Sequence, residues 1–452
     1  MKSLYLISGK YGNVPYFSKR HNFSKRHRNV IRGLLGRLHD IKGICRTVIN
    51  ADYRSQYDNM EVTETMRIVA MVFMLIVLAV LFINAERQIY NWLALIFQGL
   101  NRPVSGVVFG LLVLTILAAF VVSRIPGLGA YGTLFLIDHY ALGFLAYVVI
   151  ITNAVSLLLF ALRLTHLIQF PVSRSVRLVS AALSMLLAVG LTVFGAVHAA
   201  NIQIRRYHVR LGQEQAGMET IRLVLLSDIH LGYVIEEKHL AKIVSAVNAL
   251  KPDIICIAGD IFDGDITSLP NPGKLMGLFG KMESEYGVYA CLGNHDAGDG
   301  YQQMLDFLDG AGVRVLTDEA VVIDRRFVLA GRRDSSPIGA HGDTRKKLEV
   351  LPDAELLPVI VLDHQPGNID EYGSETDLIL CGHTHQGQMF PFNLITNAVF
   401  DVDYGYYRAG GTAPQVIVTS GAGTWGPPLR VATDNEIAEI DLLVPHLESE
   451  QE

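Results

Sequence analysis

Apolar residues follow two different rhythms along the chain. Between Met66 and Ala200 four nearly unbroken apolar runs occur, at about 66–85, 104–123, 141–162 and 178–200. Each comes close to the roughly 20 residues that a helix needs to cross a bilayer. The short stretches between them hold Arg87, Arg102, Arg124, Arg163, Arg174 and Arg177. Four such runs in succession fit membrane spans better than the buried helices of a soluble bundle. None of the four carries Asp, Glu or Lys, and Glu86 and Asp138 are expected at run ends or in loops. Charge within spans is the usual mark of a transport pathway, so the pattern favours an anchor over a transporter.

From about residue 206 the rhythm changes to short apolar runs alternating with amphipathic ones. "IRLVLLSD" (221–228), "DIICIAGD" (253–260) and "VYACLGN" (288–294) read as buried strands. Leu240, Ile243, Val244, Val247 and Leu250 recur at helical spacing within 236–251, and 273–287 also reads as a helix. "RFVLAG", "PVIVLDHQP", "DLILCGHTH", "QVIVTSG" and "EIAEIDLL" supply further strands. The expected division is a basic tail over 1–65, a four-helix membrane domain over 66–205 and an α/β domain over 206–452. The last is long enough for one substantial core. The final "HLESEQE" is expected to fray.

Charge sharpens this division. Residues 1–65 carry a net +7, residues 66–205 a net +6 and residues 206–452 a net −19. So acidic a C-terminal part is a poor partner for nucleic acid, and bound divalent cations would offset some of its charge. An even number of spans puts the N-terminus and the C-terminal domain on one side, which the basic tail assigns to the cytoplasm. The tail itself, with "SKRHNFSKRHRN" and no periodicity, is expected to be disordered or a mis-called start. Without it the arginines balance across the two sides. Four cysteines, Cys45, Cys256, Cys291 and Cys381, form no Cys-x-x-Cys pair and read as reduced and buried.

The chemistry lies at the strand ends, where loops converge in α/β folds. In order they offer Asp228 and His230, then Asp260, then Asn294, His295 and Asp296, then His364, and last His383 and His385. In an extended backbone, residues i and i+2 project to one face, so His383 and His385 are expected to point together, as are Asp228 and His230. One Asp-x-His pair is weak evidence, but five metal-competent blocks in succession are strong evidence. Mixed O and N ligands suit Mn²⁺, Fe or Zn²⁺. Two such ions can bind and deprotonate a bridging water and orient a phosphate, provided that a carboxylate spans both. Gly259, Gly293 and Gly382 precede Asp260, Asn294 and His383, where a Cβ would obstruct close backbone approach.

These blocks resemble the calcineurin-like metallophosphoesterases. Asp228-Ile-His230, Gly259-Asp260-Ile-Phe-Asp263, Gly293-Asn294-His295-Asp296, His364 and Gly382-His383-Thr-His385 match that family's five motifs. The resemblance spans about 220–443 and implies a β-sandwich flanked by helices with a dimetal site at the strand ends. It implies that Asp228, His230 and His385 hold one ion, that Asn294, His364 and His383 hold the other, and that Asp260 bridges. It further implies that His295 protonates the leaving group and that Asp296 orients it. The four runs, "NIQIRRYHVR" and "SGAGTWGPPLR" resemble the transmembrane subfamily, some of whose relatives cleave the pyrophosphate of UDP-2,3-diacylglucosamine. Gln386 departs from that subfamily's frequent glycine.

Elsewhere the expectations are weaker. Asp263 and Asp265 read as turn carboxylates before a role behind the metal ligands, and Arg332 and Arg333 as solvated surface arginines before a role in holding substrate phosphate. Arg430, closing "TWGPPLR", is the candidate for binding substrate phosphate. Residues 236–239 read as a wet helix start, "HGDTRKK" (341–347) as another helix start, and Trp425 as packing. The leading reading is a membrane-anchored phosphoester or pyrophosphate hydrolase on a substrate that can be lipid-linked. Open beside it stand a phosphodiesterase on soluble nucleotides and a non-catalytic metal-binding membrane scaffold, while a nuclease is disfavoured. Metal identity, substrate and oligomeric state stay open.

Overall fold

The structure, a computed structural model, describes residues 60–123, 132–169, 171–212 and 218–445, apart from 265, 267, 268, 299, 340–344, 349–356, 411 and 412. Most of the basic tail, Arg124, Asp265, most of "HGDTRKK" and "HLESEQE" therefore lie outside the described residues. Four long helices come first: α1 (Met60–Leu93), α2 (Arg102–Val122), α3 (Gly132–Leu164) and α4 (Arg174–Ala199). All four are long and apolar enough to cross a membrane. The side chain of Asn101 accepts from Val104 N at the start of α2, and that of Ser173 accepts from Val176 N at the start of α4. These caps satisfy amides that have no partner within the first turn.

Two of these helices outrun the apolar pattern. Helix α1 continues through Glu86 and Arg87, and α3 begins early enough to include Asp138, so both acids lie inside helices. The added turns carry contacts with other parts of the chain. Along α3, Phe135, His139, Gly143, Tyr147 and Ile151 are buried at four-residue intervals, which lines one helix face. Small residues do the same on α4, where Ser184, Ala188, Gly195 and Ala199 are buried. Helix α2 buries none of its residues.

The rest is a sandwich of two six-stranded sheets. The first has the order β1-β12-β2-β3-β4-β5, built from β1 (Ile202–Arg210), β2 (Met218–Leu226), β3 (Ile254–Ala258), β4 (Val288–Cys291), β5 (Val313–Val315) and β12 (Asn435–Pro445). The second has the order β10-β11-β9-β8-β7-β6, built from β6 (Glu319–Ile323), β7 (Phe327–Gly331), β8 (Val359–Leu362), β9 (Leu378–Cys381), β10 (Gly405–Arg408) and β11 (Gln415–Val418). Strands β2, β3, β4 and β5 run parallel, as do β7, β8, β9 and β11. The fold is thus the expected α/β arrangement of a β-sandwich flanked by helices, preceded by four apolar helices.

Alternation along β2 shows why these strands are apolar throughout. Leu223 and Leu225 face the second sheet, packing with Leu329, Ile360, Leu362, Leu378 and Leu380. Val224 and Leu226 face the other way, onto α5 (Glu237–Leu250), α6 (Pro272–Phe279) and α7 (Tyr301–Gly310). A strand buried on both faces has no polar side to show. Helix α5 contributes Leu240, Ile243, Val244 and Val247 to that layer. The helix expected over 273–287 stops at Phe279, where Gly280 follows. "NIQIRRYHVR" is a strand rather than a bare junction, since β1 pairs in parallel with β12 from Ile202 to Arg210. Cys256, Cys291 and Cys381 are buried free thiols.

Candidate metal centre

Every candidate block sits just beyond the carboxyl end of a strand. The loop after β2 runs on beside the loop after β3, with Asp228 N, His230 N and Leu231 N donating to Gly259 O, Asp260 O and Ile261 O. Gly382 N donates to His364 O and ties the loops after β8 and β9 together. Glycine is required where these loops meet. A Cβ on Gly293 would collide with the backbone N and the carboxylate of Asp260, and one on Gly382 with Ser227 and the Asp228 carboxylate.

The backbone at the ligands is not extended. Asp228, His230, Asp260, His383 and His385 all have φ between 49° and 72°, the left-handed region that non-glycine residues seldom adopt, at about 1–3 kcal/mol each. This corrects the expectation that His383 and His385 share a face through strand pleating. Strand β9 ends at Cys381, and the left-handed bends beyond it send the two rings to different partners. Thr384 between them holds the loop: its hydroxyl donates to Asp403 O at 2.6 Å and accepts from Gln386 N.

Two groups of side chains result. In one, His230 Nε2 and His385 Nε2 lie 3.0 Å apart, and His385 Nε2 is 3.3 Å from Asp228 Oδ1. In the other, Asn294 Oδ1 lies 3.1 Å from His364 Nε2 and 3.0 Å from His383 Nδ1. Asp260 Oδ2 lies between the groups, 3.6 Å from His230 Nε2 and 3.2 Å from His364 Nε2. Asp228 with His230 and His385, and Asp260 with His364 and His383, each bring their ligand atoms within 4.8 Å of one another.

The donor set fits divalent cations. His364 Nδ1 sits 2.8 Å from Ala258 O and must carry a proton to bond there. In the neutral ring Nε2 is then a lone pair, facing the Asn294 and Asp260 oxygens, which are lone pairs too. Acceptors crowded against acceptors need a positive charge between them: a proton on Nε2 without metal, and a divalent cation in its place when one binds. Burial, then the positive charge of His364, holds His383 down to about 3. Burial, followed by the charges of His230 and Arg430, keeps His385 well below its ordinary value. Both rings are therefore neutral, the form that ligates metal. Burial opposes charge on Asp260, yet His364 and His230 outweigh it and hold the carboxyl well below the usual range. Burial opposes charge on both rings, yet Asp260 raises His364, and Asp263, followed by Asp260 and Asp228, raises His230.

Two expectations need correction. Asp296 accepts from the backbone amides of Gly293, Ile261 and Phe262. Its carboxylate clamps the loops after β3 and β4 instead of aiming at the ring of His295. Burial and then the charge of Asp260 push it up to about 7, against the pull of those amides. Arg430 is fully buried and does not face a substrate. Its Nε donates to Asn435 Oδ1, its Nη1 to His385 O, and its Nη2 to Ser420 O and Gly423 O. It locks the His385 loop to the 420–435 segment.

The structure also brings in Asp263, which reads from sequence as a turn carboxylate. Its Oδ1 is 3.7 Å from His230 Nδ1, favouring a proton there and a lone pair at Nε2. Asp263, His230 and His295 have their ligand atoms within 4.8 Å of one another. His295 is half-buried, and its ring centroid lies 5.1 Å from that of His230 and 5.8 Å from that of Trp425. Trp425 in turn stands edge-on to Phe120 of α2 at 6.1 Å. The second aspartate of Gly-Asp-x-x-Asp was the available signal for Asp263, and the aromatic isolation of Trp425 in a Gly/Pro loop was the signal there.

A family profile described as calcineurin-like phosphoesterase matches residues 221–387. An uncharacterized metallophosphoesterase of Aquifex aeolicus (strain VF5) is 32% identical over 262 residues, covering 57% of this chain and 98% of that protein. The chain belongs to the calcineurin-like metallophosphoesterases. Within that family it is 31% identical to a zebrafish (Danio rerio) transmembrane protein with metallophosphoesterase domain, over 58% of this chain and 62% of that one. It is 27% identical to the phosphodiesterase YaeI of Escherichia coli (strain K12), over 43% of this chain and 72% of that protein. The family profile ends before Trp425, Arg430 and β12, so the segment joining the metallophosphoesterase site to the helices lies outside it.

Proposed function

We propose that this metallophosphoesterase is a membrane-anchored hydrolase that cleaves a phosphoester or pyrophosphate bond in a lipid-linked substrate. On this reading residues 66–205 anchor the chain and residues 206–452 carry out the chemistry. Asp228, His230 and His385 would hold one divalent ion, and Asn294, His364 and His383 a second, with Asp260 shared between them. Such ions, when bound, supply Lewis-acid charge and a water of lowered pKa. The chain's own groups do the rest. His295 gives its proton to the departing oxygen, and Asp263 favours the His230 tautomer that turns Nε2 inward. Asp296 and Arg430 keep the loops in register through backbone contacts.

One observation carries the lipid-linked part. A largely apolar cavity of about 340 Å³ is walled by His383 and His385 on one side and by Leu142 and Ala146 of α3 on the other, with Phe392 and Trp425 beside them. Next to it Phe390, Phe392, Leu394 and Ile395 are exposed, and the short helix α8 (Asn393–Val399) buries none of its residues. An apolar route from a phosphate-handling site to apolar helices suits a substrate whose phosphate carries an acyl-bearing group.

The test uses the full chain in mild detergent with Mn²⁺. UDP-2,3-diacylglucosamine is compared with its deacylated form and with a soluble chromogenic phosphodiester. We expect the acylated substrate to be cleaved with at least about tenfold higher kcat/KM, since burying even a few methylenes adds about 0.8 kcal/mol each. Equal rates would remove the lipid-linked part and favour soluble nucleotides. No cleavage with any divalent metal would sink the hydrolase reading. His295→Ala should retain metal while turnover falls about 10²–10⁴-fold.

A further inference from the structure

A second polar site lies in the helices themselves. Asn84, Gln88 and Asn91 stand on one face of α1, four and three residues apart. Asn84 Nδ2 donates to Asn153 Oδ1 and Ser156 Oγ of α3, and Gln88 Nε2 donates to Ser156 Oγ at 2.8 Å. This amide-and-hydroxyl wall opens into a cavity of about 530 Å³ that is also lined by Arg87 of α1, Arg163 of α3 and Arg177 of α4. Among the described residues lining it none is acidic. Arg177 Nε is buried there without a hydrogen-bond partner. Leu159, Phe160 and Val172 supply an apolar border.

The cavity is far from the metal centre. A Cβ on Gly143 of α3 would press on Leu429 and Pro427, and one on Gly195 of α4 on Val431 and Leu429, so the catalytic loops dock at those two positions. Arg163 lies twenty residues along α3 from Gly143, about 30 Å at 1.5 Å per residue. Arg177 lies eighteen residues from Gly195 on α4, about 27 Å by the same rise. Both separations are close to the roughly 30 Å hydrocarbon thickness of a bilayer. The cavity therefore belongs to the opposite membrane boundary.

Three arginines line one cavity with no acidic residue among its described lining, and their guanidinium groups carry positive charge and donors in a forked geometry. Phosphate oxygens match that geometry best, and bidentate pairing with arginine is the strongest such contact. Arginines that only reach for headgroup water would need neither a shared cavity nor a wall of bonded amides. We propose that this cavity is a second binding site, taking a phosphate group at the membrane boundary away from the metal centre. The apolar border fits a phospholipid headgroup with its chains beside Leu159 and Phe160, while free phosphate presents the same chemistry without chains.

The full chain in neutral detergent is the material for the test. Native mass spectrometry would follow retention of phosphatidylglycerol against phosphatidylcholine, and thermal midpoints would be read against inorganic phosphate. The site predicts retention of one phosphatidylglycerol per chain, at least about tenfold tighter than phosphatidylcholine. Stabilisation by inorganic phosphate, with no preference between the lipids, would support the site and identify free phosphate as its occupant. Replacing all three residues (Arg87→Gln, Arg163→Gln, Arg177→Gln) should abolish either effect, whereas Arg206→Gln, in β1, should not. Turnover of a soluble chromogenic phosphodiester checks that the triple variant is folded. Equal retention of both lipids without any phosphate effect, in the unmodified chain, overturns the proposal, as does wild-type retention by a folded triple variant.

Discussion

Helix α2 and strand β3 are both uninterrupted apolar runs, yet α2 buries none of its residues and β3 buries all five. Their surroundings differ, not their hydrophobicity. Helix α2 satisfies its backbone internally and can leave apolar side chains to a lipid solvent. Strand β3 must find its hydrogen bonds in β2 and β4 and its packing in two layers of protein. Helix α3 combines both solutions: residues between Phe135 and Thr152 are buried in two separate clusters, whereas Leu134, Ile137, Leu157, Leu158 and Phe160 are exposed. Protein packing thus orders the sandwich, whereas the four helices leave apolar surface that suits a bilayer, and the candidate metal centre lies where these two parts meet.

The largest effect that would sharpen this contrast is in the sandwich. Leu225→Ala empties space between the sheets, and we expect a loss of about 2–5 kcal/mol, read as a fall in thermal midpoint in detergent. A loss below about 1 kcal/mol would mean that the sheets do not depend on that layer.

An intermediate effect belongs to the candidate metal centre. The raised pKa of His364 and His230 means that their protons stabilise the metal-free fold below the ordinary value of 6.5. That contribution is lost as pH rises through the higher folded values. A metal must displace those protons, whereas His383 and His385 are already bare. Affinity for Mn²⁺ should therefore rise with pH, by about tenfold per unit for each proton released. Calorimetry at pH 6, 7 and 8 measures this, and a flat profile would contradict it. The smallest effect belongs to α2: Leu112→Ala, at a position 54% exposed, should change stability by under about 0.5 kcal/mol, read from the thermal midpoint. A loss like that of Leu225→Ala would show α2 to be covered by protein.

Much of this was legible from residue order, for identifiable reasons. Strands buried on both faces announce themselves as short apolar runs, and the ligand blocks follow them because the loops at strand ends converge. What residue order conceals is which long-range partner a polar group finds. Arg430 looks like a cation for substrate phosphate until residues 385, 420, 423 and 435 surround it with acceptors. Asp296 looks like the partner of the histidine beside it until amides from two loops occupy its oxygens. The left-handed backbone at Asp228, His230, Asp260, His383 and His385 leaves no trace in composition, since none of them is glycine. It is imposed by packing around them.

The end of α4 has one more consequence. Arg430 N donates to Gly195 O and Asn435 Nδ2 to Ala199 O, His198 pairs with Asp434 at 2.7 Å, and β1 starts at Ile202. The last carbonyls of the helix are thus capped by the same segment whose Arg430 holds His385. No slack separates the mast from the instrument it carries. On the proposed function the enzyme works as a depth gauge: it reaches only bonds that the substrate presents at one height above the hydrocarbon, and a spacer inserted after Ala199 would retune that height.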